Sequence, residues 1–169
     1  YQGTGVEAAK LTANYETYGV LYNWHAVMTE SICPSEWHIP KYEEFIELRD
    51  FLGGEDVAGD AMKSTSGWNG GGNGSNSSGF NGLPGGFAVN LYWSDPPYLY
   101  ALGNEGYFSI SAPVTGGISM KQAFYLTHSN TNFHFYSGME SGWGISARCV
   151  RCEADEDGDG VCDITDECI

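Results

Sequence analysis

Long apolar runs are missing from this chain of 169 residues. None approaches the roughly 18 consecutive apolar residues that a membrane-spanning helix needs, so no helical span is expected. Basic residues are scarce: 7 Lys and Arg face 22 Asp and Glu, for a formal net charge of −15. A chain so acidic is repelled by phosphate backbones, which argues against nucleic acid as a partner. The short motifs of common catalysis are absent too: no Gly-x-Ser-x-Gly elbow, no phosphate-binding loop and no dinucleotide fingerprint. Only 4 histidines occur, His25, His38, His128 and His134, and none are spaced four apart like paired zinc ligands on a helix. The chain opens on Tyr1 without an initiator Met or a signal peptide, the pattern of a processed product or a fragment.

What is present suits one globular unit. Hydrophobic residues make up 41% and aromatics 14%, enough for a packed core, while 24 glycines imply short elements and long loops. Residues 1–16 are small and polar and read as an extended arm. Residues 18–24, aromatic and β-branched, read as a buried strand, and a short helical turn is expected over 25–32. Pro40 is placed to open a helix in which Phe45, Leu48 and Leu52 recur at helical spacing, Glu43, Glu44 and Glu47 favour the N-terminal dipole, and Gly53-Gly54 ends the run. A second helix is expected over 55–63. Residues 66–86 are mostly Gly, Asn and Ser, a loop that Trp68, Phe80 and Leu83 should anchor. Asn73 and Asn76 each match the glycosylation acceptor pattern, which a loop of this composition also produces by chance.

Beyond residue 86, aromatic runs of strand length alternate with turn residues: 87–93, 98–102, 107–111, 123–127, 133–136 and 144–151. Early helices followed by many strands predict an α+β fold with an antiparallel sheet. Tyr92, Trp93, Tyr98 and Tyr100 flank Pro96-Pro97, and Trp143 sits among glycines; these rings fit a sugar-stacking platform or docking patch, or serve as core and loop anchors.

Several motifs in order carry a resemblance. Tyr18-Gly19-Val20-Leu21-Tyr22-Asn23-Trp24 followed by Cys33-Pro34-Ser35-Glu36-Trp37-His38-Ile39-Pro40 resembles the opening of the Fibrobacter succinogenes major paralogous domain. Ser78-Gly79-Phe80-Asn81-Gly82-Leu83-Pro84-Gly85-Gly86, Gly106-Tyr107-Phe108-Ser109 and Ile145-Ser146-Ala147-Arg148-Cys149-Val150-Arg151 continue it. The resemblance implies a fold similar to C-type lectin-like and formylglycine-generating-enzyme domains, with one or two helices on a twisted antiparallel sheet, in secreted or surface proteins of bacteria. It also implies that Cys33 pairs with Cys149. That assignment speaks against reading Cys149-x-x-Cys152 as a redox pair, so no enzyme is expected. The C-type lectin sugar-binding triplets are absent.

The sharpest chemical pattern lies at the end. Eight of the acidic residues fall within 153–167, with no Lys or Arg among them. Asp155, Asp157, Asp159, Asp163 and Asp166 occupy positions 1, 3, 5, 9 and 12 of a calcium loop, with Gly160 at position 6 and the Val161 carbonyl at position 7. Calcium takes six to eight oxygens, and a loop wrapped once around the ion supplies alternate side chains. The stretch resembles a thrombospondin type 3 repeat, in which Cys162 and Cys168 would be cross-linked to each other or to Cys152. The chain thus divides into an arm (1–16), a C-type lectin-like domain (17–151) and a calcium-binding tail (152–169). The function expected is non-catalytic: an extracellular bacterial surface subunit that self-assembles into an oligomer or polymer in adhesion or structure, with glycan binding through exposed aromatics as the alternative.

Overall fold

The computed structural model describes residues 10, 13–29, 31–89, 98–111 and 121–151. Its elements are helices α1 (Ala13–Tyr18), α2 (Trp24–Val27), α3 (Tyr42–Phe51) and α4 (Ala58–Met62), and strands β1 (Trp37–His38), β2 (Phe87–Val89), β3 (Tyr98–Tyr100), β4 (Glu105–Ser109), β5 (Lys121–Thr127), β6 (His134–Met139) and β7 (Val150–Arg151). Three antiparallel sheets result, ordered β1-β7, β2-β3 and β4-β5-β6. The fold is α+β.

The main sheet and two helices share one core. Phe124 lies between Phe108 and Phe133, stacked at 4.7 and 4.9 Å between ring centroids. Phe45 of α3 packs on Phe124 at 4.2 Å, and Ala58 and Met62 of α4 join the same cluster. Helix α3 begins after Lys41, two residues beyond Pro40, so Pro40 precedes the helix and does not sit in its first turn. Glu44 fixes that start: its Oε2 accepts the Lys41 N–H at 2.7 Å, and both its oxygens lie 2.9 Å from His38 Nε2. The other end is closed by a Schellman pattern, in which the Gly54 N–H reaches Arg49 O at 2.9 Å and Gly53 N–H reaches Asp50 O at 3.1 Å, with Gly53 at φ 102°.

The loop after α4 is held by its own residues. Trp68 is buried and donates from Nε1 to Ser64 Oγ and Gly82 O, Phe80 packs on Phe108 and Phe124, and Leu83 is half-buried. Lys63 is also buried; its ammonium donates to Thr127 O and Asn130 O, pinning the β5–β6 turn to α4. Burial lowers its pKa, against the opposing pull of Asp60.

Two expectations near the N-terminus are corrected. Residues 13–16 are helical, not extended; the arm's other residues, Lys10 apart, lie outside the described ones. Residues 18–24 do not form a buried strand. Tyr22 alone makes an antiparallel bridge, to Ile145, and Val20 is 46% exposed. Asn23 then starts a helix, its Oδ1 accepting the Ala26 N–H at 3.0 Å. The side-chain cap outcompetes strand propensity once Gly19, at φ 73°, has turned the chain out of α1.

Candidate functional site: an aromatic ladder

Strand alternation sorts the aromatics of the main sheet by type. The register pairs Phe108 with Phe124 and Phe124 with Phe135, and it pairs Tyr107 with Tyr125 and Tyr125 with His134. Successive residues point to opposite faces, so the phenylalanines share the helix-covered face and the tyrosines share the other. Helix α2 borders that second face at one end, where Trp24 lies beside Met139, Trp143 and Ile145. Other segments of the chain contribute Phe87, Trp143 and Ile145 beside Tyr107, Ala123, Tyr136 and Met139.

A ladder of rings runs across this face. Trp143 stacks on Phe87 at 5.0 Å and 13°, and Phe87 stacks on Tyr100 at 5.6 Å and 18°. Tyr98 follows 6.4 Å beyond Tyr100. Inward, Phe87 meets Tyr107 edge-on at 5.3 Å, Tyr107 stacks on Tyr125 at 5.1 Å, and Tyr125 stacks on His134 at 4.8 Å. Gly86 makes the crossing of β2 and β3 possible: at φ 65°, any Cβ there would collide with the Tyr100 carbonyl.

Protonation follows burial. Tyr107 is held well above the usual tyrosine range by desolvation, by its hydrogen bond to Glu105 Oε2 (2.9 Å) and by the Glu105 charge. Desolvation, then Glu105 and Tyr136, raises Tyr125 as well. These phenols stay neutral hydrogen-bonding groups and are not poised as acids or bases.

The structure brings three of the sequence-selected aromatics together. Tyr98 and Tyr100 sit on β3, 56% and 42% exposed, and Trp143 joins them through Phe87, which was not singled out from sequence. Tyr92 and Trp93 lie outside the described residues, as do the calcium-loop positions Asp155, Asp157, Asp159, Val161, Asp163 and Asp166 and the cysteines Cys152, Cys162 and Cys168. Cys33 and Cys149 are joined, with Cα atoms 5.8 Å apart, just where β1 pairs with β7. Asn73 and Asn76 do turn work: their Oδ1 atoms accept the N–H groups of Trp68 and Asn81, and Asn76 adopts φ 52°. Among the described residues no three His, Cys, Asp or Glu side chains gather into a metal-binding group.

The arrangement, then, is an α+β domain with one sheet face packed on helices, the other carrying an aromatic cluster whose rim at Tyr98 and Tyr100 is exposed, and a covalent tie beside its first and last strands. The chain matches the Fibrobacter succinogenes major domain over residues 2–151, and it belongs to that family. No curated protein and no solved structure matches it.

Proposed function

We propose that this chain is a non-catalytic, extracellular bacterial surface subunit of C-type lectin-like fold that assembles with copies of itself. The observation that carries the reading is β3. It pairs with β2 alone among the described residues, and Tyr98, Leu99 and Tyr100 are all exposed. An open edge strand with unpaired backbone groups and large apolar side chains is a template for strand addition by another chain. Tyr and similar rings supply contact area at low entropic cost. Light scattering and negative-stain microscopy of the purified chain should show oligomers or filaments that a Leu99→Lys substitution reduces to monomers. Wild-type protein that remains monomeric in calcium would end the assembly reading.

A second use of the same surface has its own support, since the Tyr98 and Tyr100 rings are open to solvent and backed by the Phe87–Trp143 stack. Rings so placed suit stacking on a sugar face. A glycan array with no signal for the wild type would remove this alternative.

The acidic tail completes the proposal as a thrombospondin type 3-like calcium repeat. Its donor set is all oxygen, five carboxylates and the Val161 carbonyl, which fits a hard cation of flexible coordination. Bound calcium would neutralise carboxylates that otherwise repel one another. Calorimetry should find one site with a Kd in the range of extracellular modules, about 0.1–1 mM. Absence of heat at several times that range would remove calcium from the account.

A further inference from the structure

Away from the aromatic ladder, a groove of about 320 Å³ opens between the end of α1, the 19–22 segment, the loop at Leu83 and Gly85, and the Ser146–Arg148 stretch beside Phe108. That volume lies at the lower end of small-molecule sites, roughly 300–1,000 Å³, with space for a sugar ring. Arg148 is its one charged lining residue. The guanidinium is held in place: its Nη2 donates to Asn81 O at 3.1 Å, and its carbon lies 5.1 Å from the Phe80 ring centroid. No carboxylate lies within ion-pair distance of it among the described residues. A guanidinium offers five N–H donors in a rigid fork that matches a carboxylate, and its partial desolvation here is not offset by any anion of the described protein.

The rest of the lining is equally specific. Tyr18, Tyr22 and Ser146 carry hydroxyls with no hydrogen-bond partner among the described residues, and Val20, Leu83 and Phe108 supply apolar wall. Gly85 lies in the floor between Ser146 Oγ and the Tyr18 ring. One fixed cation, several hydroxyls and aromatic surface form a donor set for a ligand that carries both a carboxylate and a polyol. We propose that this groove binds an acidic monosaccharide unit of the hexuronate class, with Arg148 taking the carboxylate and Tyr18, Tyr22 and Ser146 taking ring hydroxyls. A peptide would also use Arg148, with backbone carbonyls accepting from the hydroxyls; the sugar acid is favoured because each of its ring hydroxyls both donates and accepts, as do those of Tyr18, Tyr22 and Ser146. The site does not depend on the assembly reading, because it shares no residue with β3 or the ladder.

The test uses the whole chain and four probes: D-glucuronate, D-glucose, acetate and a Glu-rich hexapeptide, each followed by saturation-transfer NMR and calorimetry. Glucuronate should bind with a Kd near 1 mM, and glucose and acetate at least about tenfold more weakly, because each lacks half of the recognised chemistry. Arg148→Lys keeps the charge but loses the fork and should weaken glucuronate about tenfold, with near-UV circular dichroism checking the fold. Ser146→Ala, which removes one hydroxyl and leaves Arg148 untouched, should weaken it by a smaller factor. No glucuronate binding to the wild type at about 20 mM would make Arg148 a structural strut and overturn the proposal. So would a hexapeptide that outcompetes glucuronate, or equal affinity for glucuronate and acetate.

Discussion

The two faces of the β4-β5-β6 sheet are built from the same three strands, yet they behave as different materials. One face carries Phe108, Phe124, Phe133 and Phe135 against α3 and α4, with Tyr42 of α3 packed on Phe135 at its edge. The other carries Tyr107, Tyr125, Tyr136 and His134 beneath Phe87 and Trp143, with Glu105 hydrogen-bonded to Tyr107. A hydroxyl added to each ring costs little where water or a polar partner is near and a great deal where neither is. The difference shows that position in the strand, more than strand propensity, selects Phe or Tyr here. The phenylalanine face buries bare rings, and the tyrosine face gives its hydroxyls water or a polar partner such as Glu105.

The comparison is broken most directly at neighbouring residues. Phe124→Ala, at 0% exposure between two stacked rings, should destabilise by about 3–5 kcal/mol in urea unfolding. Tyr125→Ala, one residue on and half-buried, should cost about 1–2 kcal/mol. Equal losses would mean that the two faces are one core. Next comes pH. Tyr107 and Tyr125 have folded-state pKa values above the unfolded value, so above about pH 10 the unfolded chain ionises first and binds fewer protons. Stability from this pair is complete below that value and falls as pH rises through it. Lys63, with its pKa lowered by burial, pushes the other way. The tyrosine share is therefore read by difference: a Tyr107→Phe, Tyr125→Phe double variant should flatten the alkaline fall in denaturant midpoints between about pH 9 and pH 11, and an unchanged slope would refute it. The smallest effect on stability belongs to the rim. Tyr98→Ser with Tyr100→Ser should change the unfolding free energy by about 0.5 kcal/mol or less while abolishing the proposed assembly, read by light scattering. A large loss of stability would turn these rings from contact residues into core.

Much of this was legible in the residues. The α3 pattern of Phe45, Leu48 and Leu52, the glycines that end it, and the anchoring of the long loop by Trp68 and Phe80 follow from periodicity and turn chemistry. The alternation that separates the faces was present as adjacent Tyr107-Phe108 and Phe124-Tyr125, although composition alone does not say which neighbour is buried. Phe87 escaped notice because its importance lies in a stack between Tyr100 and Trp143, residues distant in sequence. The N-terminal segment misled for a different reason. A run of Tyr, Val, Leu and Trp has strand propensity, but Asn23 offers a cap and Tyr22 finds a partner only at Ile145, so tertiary context decides. The groove at Arg148 joins four separate segments, and no local pattern announces it.

The bond between Cys33 and Cys149 has one more consequence, for load. Tension applied to the chain before residue 33 and after residue 149 loads the Tyr22–Ile145 bridge and the β1-β7 pairing and then passes through the sulfurs. The enclosed loop, with a sequence separation of 116, is shielded from the pull. It withholds on the order of 400 Å of contour length from extension. A chain pulled at both ends would lengthen only in the segments outside residues 33–149 until a reductant arrived, and the β4-β5-β6 sheet with its two faces would keep its shape under strain.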